Sequence, residues 1–154
     1  MLEPNSDGGS LEDKVRALRS VATYPEHTAS VETIETHFAW VFLLRERAYK
    51  LKKPVNVPGM DLRTLEARRL SCAEELRLNR RLAPDVYLDV VPLVRAADAT
   101  LRVGAEGSTV DWLVCMRRLP AALMLDRAIV AGTASQARPI WRSEERRVGK
   151  ECRS

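Results

Sequence analysis

Apolar residues recur along the chain in patterns that change from helical to extended and back. Leu11, Val15, Leu18 and Ala22 stand at i, i+4, i+7 and i+11, the stripe of a helix docked on a core. Ser10 supplies an N-cap and Asp13, three residues on, an approximate capping box, while Tyr24-Pro25 closes the segment. Val31 to Thr36 has strand character. From Phe38 to Leu44 the apolar run is nearly continuous, as in a strand covered on both faces. The polar turn Arg45-Glu46-Arg47 joins it to Ala48–Lys53, so that a hairpin forms. In that second strand Ala48, Lys50 and Lys52 share one face, and Tyr49, Leu51 and Lys53 the other.

Pro54 and Pro58-Gly59 break the extended pattern. Asp61 or Thr64 then caps a helix that runs to about Leu82, with Pro84 as its stop. Val86 to Val94 is rich in β-branched residues and reads as a strand, in which Pro92 implies an edge or a bulge. Turns at Ala96–Thr100 and Gly104–Ser108 flank a short strand, Leu101–Val103, and Val110–Arg118 is another. Pro120 marks a change of direction, and Ala121–Val130 reads as a helix with Gly132 as its C-cap. The order predicts an α+β fold: an antiparallel sheet of about five strands with one packed helix, between an N-terminal and a following helix.

Composition narrows the classes. The last thirteen residues, RSEERRVGKECRS, carry five Lys or Arg and three Glu with no apolar period. They resemble a vector-derived tail, and residues 142–154 are set aside on that ground. Without them the net charge of +4 falls to +2, too little to argue for nucleic acid. Arg77, Arg80 and Arg81 are balanced by nearby acids and lack interleaved aromatics, so they read as a solvated helix face. Cys72, Cys115 and Cys152 have neither disulfide-framework nor zinc-ligand spacing. With no run of eighteen apolar residues and a polar start, the expectation is a cytoplasmic protein that does not span a membrane. Residues 1–9 form a disordered leader in this reading, 10–132 the domain and 133–141 a linker.

A strand lysine, Lys50, precedes a helix bearing the adjacent glutamates Glu74 and Glu75. A cation fixed on a strand and oriented by a helix carboxylate is what a phosphoryl-transfer enzyme uses on the phosphates of ATP. The plain alternative is a solvated lysine at a basic strand end, and Lys52 shares its face and competes for the role. Several runs carry a resemblance in order: Ile34-Glu35-Thr36-His37, Trp40-Val41-Phe42-Leu43, Ala48-Tyr49-Lys50-Leu51-Lys52-Lys53-Pro54, Glu74 to Pro84 and Tyr87-Leu88-Asp89-Val90-Val91-Pro92. Over roughly residues 20 to 132 the chain resembles the ATP-binding N-lobe of aminoglycoside-phosphotransferase-like kinases. The match is to the bacterial branch fused to a C-terminal P-loop ATPase domain.

The resemblance implies a protein-kinase-like N-lobe and ATP as the nucleotide, with Mg²⁺ held only in a complete protein. It implies Lys50 as the phosphate ligand and Glu75, rather than Glu74, as its orienting partner. It also places the adenine-reading hinge at Met116, Arg117 and Arg118, and an undefined small molecule as the acceptor. A glycine-rich phosphate loop is missing, which leaves the backbone amides near Thr36 and His37 as substitutes. No HGD-type catalytic loop and no GxxxxGK[ST] occur, so the expectation is an incomplete, inactive fragment. The competing expectations are a non-catalytic interaction or scaffold module and a basic nucleic-acid-binding domain.

Overall fold

The computed structural model describes residues 9–120. The helix expected at Ala121–Val130 and the leader, linker and tail at residues 1–8, 133–141 and 142–154 lie outside the described residues. The chain divides after Arg118 into two units, and every element below belongs to the first.

Helix α1, Leu11–Leu18, begins at Ser10, whose hydroxyl accepts from the Asp13 amide while the Asp13 carboxylate accepts from the Ser10 amide. It ends earlier than the apolar stripe suggests. Arg19 closes it, and the Ser20 hydroxyl accepts from the Ala22 amide to start a separate 3-10 turn, Val21–Thr23. Ala22, the last position of the stripe, sits in that turn.

Strands β1 (Glu32–Glu35), β2 (Ala39–Leu43) and β3 (Arg47–Lys52) form the expected meander. A ribbon of two short strands, β4 (Asn56–Val57) and β5 (Met60–Asp61), turns at Pro58-Gly59, where Gly59 takes the positive φ of 81° that other residues disfavour. Helix α2, Leu65–Arg80, is capped by Thr64, whose hydroxyl accepts from the Ala67 amide at 3.1 Å. Asp61, the other candidate cap, binds Arg63 instead.

Strands β6 (Tyr87–Arg95), β7 (Leu101–Val103) and β8 (Ser108–Arg117) complete one antiparallel sheet of six strands, ordered β1-β2-β3-β8-β6-β7. The count exceeds the expected five or so because even three-residue β7 joins the main sheet. Pro92 is on an inner strand, not an edge. Its carbonyl accepts from the Gly104 amide just past the end of β7, and a residue's N and C=O point to the same side of a strand. The missing N–H therefore faces the end of β7 and not β8, so the inner β6–β8 ladder loses no bond to it. One register shift follows directly, between Leu93 and Val94, where Val110 of β8 is the extra residue.

The two faces of the sheet are covered differently. Phe42, Tyr49, Leu51, Leu93, Leu113 and Cys115 pack with Val15 and Leu18 of α1 and with Tyr24 to make the apolar core. The opposite face of β3 carries Lys50 and Lys52 and meets α2. No described helix is long and apolar enough to cross a membrane.

Candidate functional site

Lys50 lies mid-strand in β3, opposite Val41 of β2 on one side and Val114 of β8 on the other. Both edges of its backbone are therefore held in ladders, and the side chain leaves from a fixed point. Across from it, the buried residues of α2 are Arg68, Cys72 and Glu75. They stand at i, i+4 and i+7 and form one stripe, so two of the three fully buried residues of this helix are charged. Leu65 and Leu76 are half-buried beside this stripe, and the other two leucines of the helix run elsewhere. Leu70 and Leu78 are exposed at i−4 and i+4 from Glu74, which marks that side as the outer face.

Glu75 is 3% exposed and receives both strand lysines: Lys50 Nζ at 3.0 Å on Oε1 and Lys52 Nζ at 2.7 Å on Oε2. The Lys50 contact is a hydrogen bond, whereas the Lys52 contact is an ion pair without hydrogen-bond alignment. Burial pushes the Glu75 carboxyl up, but the two ammonium groups more than offset this and hold it below the ordinary glutamate range. The cluster carries one surplus positive charge. The expected lysine–glutamate contact thus falls on Glu75, and Lys52, weighed as a competitor for Lys50, joins the same carboxylate. Glu74 makes a two-pronged pair with Arg77 at 2.9 and 2.6 Å on the exposed side of α2 and does not meet the sheet. Lys53 points the other way, to Glu35 at 2.6 Å and over the Trp40 ring.

Met116 and Arg117 end β8 and Arg118 follows it, and the backbone amides of the two arginines bond within the protein. The Arg117 amide donates to the Val86 carbonyl and the Arg118 amide to the Glu46 carbonyl, each at 2.8 Å. The Arg118 guanidinium donates to the Leu44 carbonyl and to Glu32. The substitute phosphate loop also bonds within the protein. The Thr36 amide donates to the Ala39 carbonyl at 2.8 Å, closing a tight β1–β2 turn rather than facing a ligand. His37 packs its ring edge-on against Phe38.

A second ionic cluster escaped sequence reasoning. Asp111 of β8 is 2% exposed and accepts from Lys14 Nζ of α1 at 2.9 Å and Arg68 Nε of α2 at 2.8 Å. The Trp112 amide donates to the same carboxylate, and Arg68 also donates to the carbonyls of Leu62 and Arg63. Arg68 and Glu75 are two helical turns apart, about 10 Å. Helix α2 is therefore held to the sheet at two charged points, Asp111 and the Lys50–Lys52 pair. The partners of Asp111 are 97 and 43 residues away in sequence, so no local spacing betrays them.

Two clefts lie away from this cluster. Residues 56–61 line one, and the other, about 430 Å³, lies between α1 and the β6–β7 hairpin beside Arg16, Arg95 and Arg102. Neither touches Lys50, whose location argues from charge and rigidity rather than concavity. Among the described residues no group of three or more His, Cys, Asp or Glu could hold a metal ion.

Over 102 residues the chain is 36% identical to an uncharacterized protein of Mycobacterium bovis and to uncharacterized proteins from two strains of Mycobacterium tuberculosis. The match covers 66% of this chain and 19% of each relative, so the chain spans about a fifth of their length. No family model matches the chain, and no solved structure matches it significantly.

Proposed function

We propose that the six-stranded sheet and α2 are the nucleotide-binding lobe of an ATP-dependent small-molecule kinase, similar to the N-lobe of aminoglycoside phosphotransferases. One observation carries this reading: Lys50, fixed at the centre of the sheet, is oriented at 3.0 Å by the buried carboxylate of Glu75. A cation held in this way meets phosphate charge without reorganising, which is where positioning enzymes gain most of their effect. The surplus charge of the cluster and the partial exposure of Lys50, at 19%, suit a phosphate chain. The bound nucleotide would supply the transferable phosphoryl group. This chain's part is to bind and orient it through Lys50, with Glu75 setting the direction of the ammonium.

The remaining requirements of transfer are not met by the residues in hand. No HGD-type run occurs in the 154 residues, and among the described residues no group of three or more His, Cys, Asp or Glu is gathered for a metal. Weak binding of ATP without turnover is therefore expected, with Kd on the order of millimolar. Saturation-transfer NMR with ATP on the purified chain measures it. Lys50→Ala should weaken binding several-fold, while Lys53→Ala, on the opposite face, should leave it unchanged. Equal binding by wild type and Lys50→Ala would remove the basis of the reading.

A non-catalytic interaction module is the second reading. It draws on Leu70, Leu78 and Leu82, which are 54%, 42% and 75% exposed along or just beyond α2. That reading gains if ATP does not bind.

A further inference from the structure

Building on the reading of Lys50 as a phosphate ligand, we propose that Lys52 is a positioning residue that keeps Glu75 paired when Lys50 turns to its ligand. The strand lysine can then exchange partners without stranding a buried carboxylate.

The two lysines stand two residues apart on one face of β3 and share one carboxylate, yet their surroundings differ. The Lys50 side chain is 19% exposed and that of Lys52 9%, against 3% for Glu75. Lys50 is thus the one with an open side from which an anion can approach. Lys52 is committed inward.

With a single lysine, binding would be a contest. Each ligand oxygen gained by Lys50 would loosen its hold on Glu75, and a carboxylate so buried takes up a proton when it loses its cations. Lys52 removes this conflict, because at 2.7 Å it remains beside Oε2 whichever way Lys50 turns. Lys50 and Lys52 are the charged groups that act on Glu75 from the sheet. On the buried stripe of α2 the adjoining titratable group is Cys72, whose thiol burial pushes up to about 11, so it stays neutral through the physiological range. Farther along the helix, Arg68 is paired with Asp111 of β8, which also takes Lys14.

Lys52→Met keeps the apolar stem and drops the charge, and it should make phosphate binding proton-linked. In that variant Lys50 can engage a phosphate only as Glu75 takes up a proton, so binding weakens as pH rises. The probe is inorganic tripolyphosphate, added to the full 154-residue chain and followed by amide NMR shifts around Lys50 at about pH 6 and about pH 8. Dividing the variant Kd by the wild-type Kd cancels the titration of the probe itself. The ratio should rise with pH towards about tenfold per unit, the slope for one proton taken up.

A ratio that stays flat would overturn the role of Lys52 while leaving Lys50 as a phosphate ligand. No shift at Lys50 in the wild type would overturn both. Should Lys52→Met not fold, the wild type alone decides. The side-chain carboxyl ¹³C shift of Glu75 should remain that of a carboxylate at about pH 6 under saturating tripolyphosphate. A protonated Glu75 in that complex would contradict the proposal.

Discussion

Replacing Asp111 with alanine should destabilise the fold by about 3–5 kcal/mol, the range for breaking a buried ion pair by removing one partner. Asp111 is shared by Lys14 and Arg68, which are 7% and 5% exposed, so the truncation leaves two buried cations without their acceptor. It also frees the Trp112 amide. Against a typical total of about 5–15 kcal/mol, such a loss takes roughly a fifth or more of the stability. Urea unfolding monitored by circular dichroism measures the change. The net worth of the cluster is much smaller than that loss, because desolvation offsets most of the attraction. Replacing Lys14, Arg68 and Asp111 together by apolar residues of similar volume should therefore recover most of it. If Asp111→Ala unfolds at the wild-type urea midpoint, the cluster does not hold α1 and α2 to the sheet.

Glu75 and Glu74 are sequence neighbours with opposite expected consequences. Glu75→Ala leaves Lys50 and Lys52 repelling each other beneath α2, a loss of about 3 kcal/mol. Glu74→Ala should not measurably change the urea midpoint, since its pair with Arg77 lies in solvent. The acid limb separates the two again. The lysines hold the folded-state pKa of Glu75 below its unfolded value of about 4.3, so its contribution is fully present above that pH. It is lost as pH falls through the folded value. Glu75→Gln should accordingly flatten the loss of stability below about pH 4. An unchanged acid limb in Glu75→Gln would show that the carboxylate is not paired in the folded protein.

Much of the framework was legible because local chemistry set it. Thr64 and Pro84 bracket α2, the Ser10–Asp13 box starts α1, and the alternation of Ala48 to Lys53 puts Lys50 and Lys52 on one face. The face of α2 was not legible. Leu70 and Leu78 are exposed, and its fully buried residues are Arg68, Cys72 and Glu75. A helix that docks through charge hides its inner face from a hydrophobic pattern, because the partners that neutralise it lie on other elements. The place of β8 between β3 and β6 was hidden for the same reason. Spacing along the chain carries no record of which strand is inserted where. The amides of Thr36, Arg117 and Arg118 looked open only while their carbonyl partners were unknown.

A crystal structure of the chain soaked with ATP tests the central claim most directly. The reading predicts a phosphate oxygen about 3 Å from Lys50 Nζ, the span of a charge-assisted hydrogen bond. Glu75 should still be in contact with Lys52 in that complex. Nucleotide seated instead beside Arg16, Arg95 and Arg102, or bound with Lys50 unmoved and out of reach of its phosphates, would contradict it.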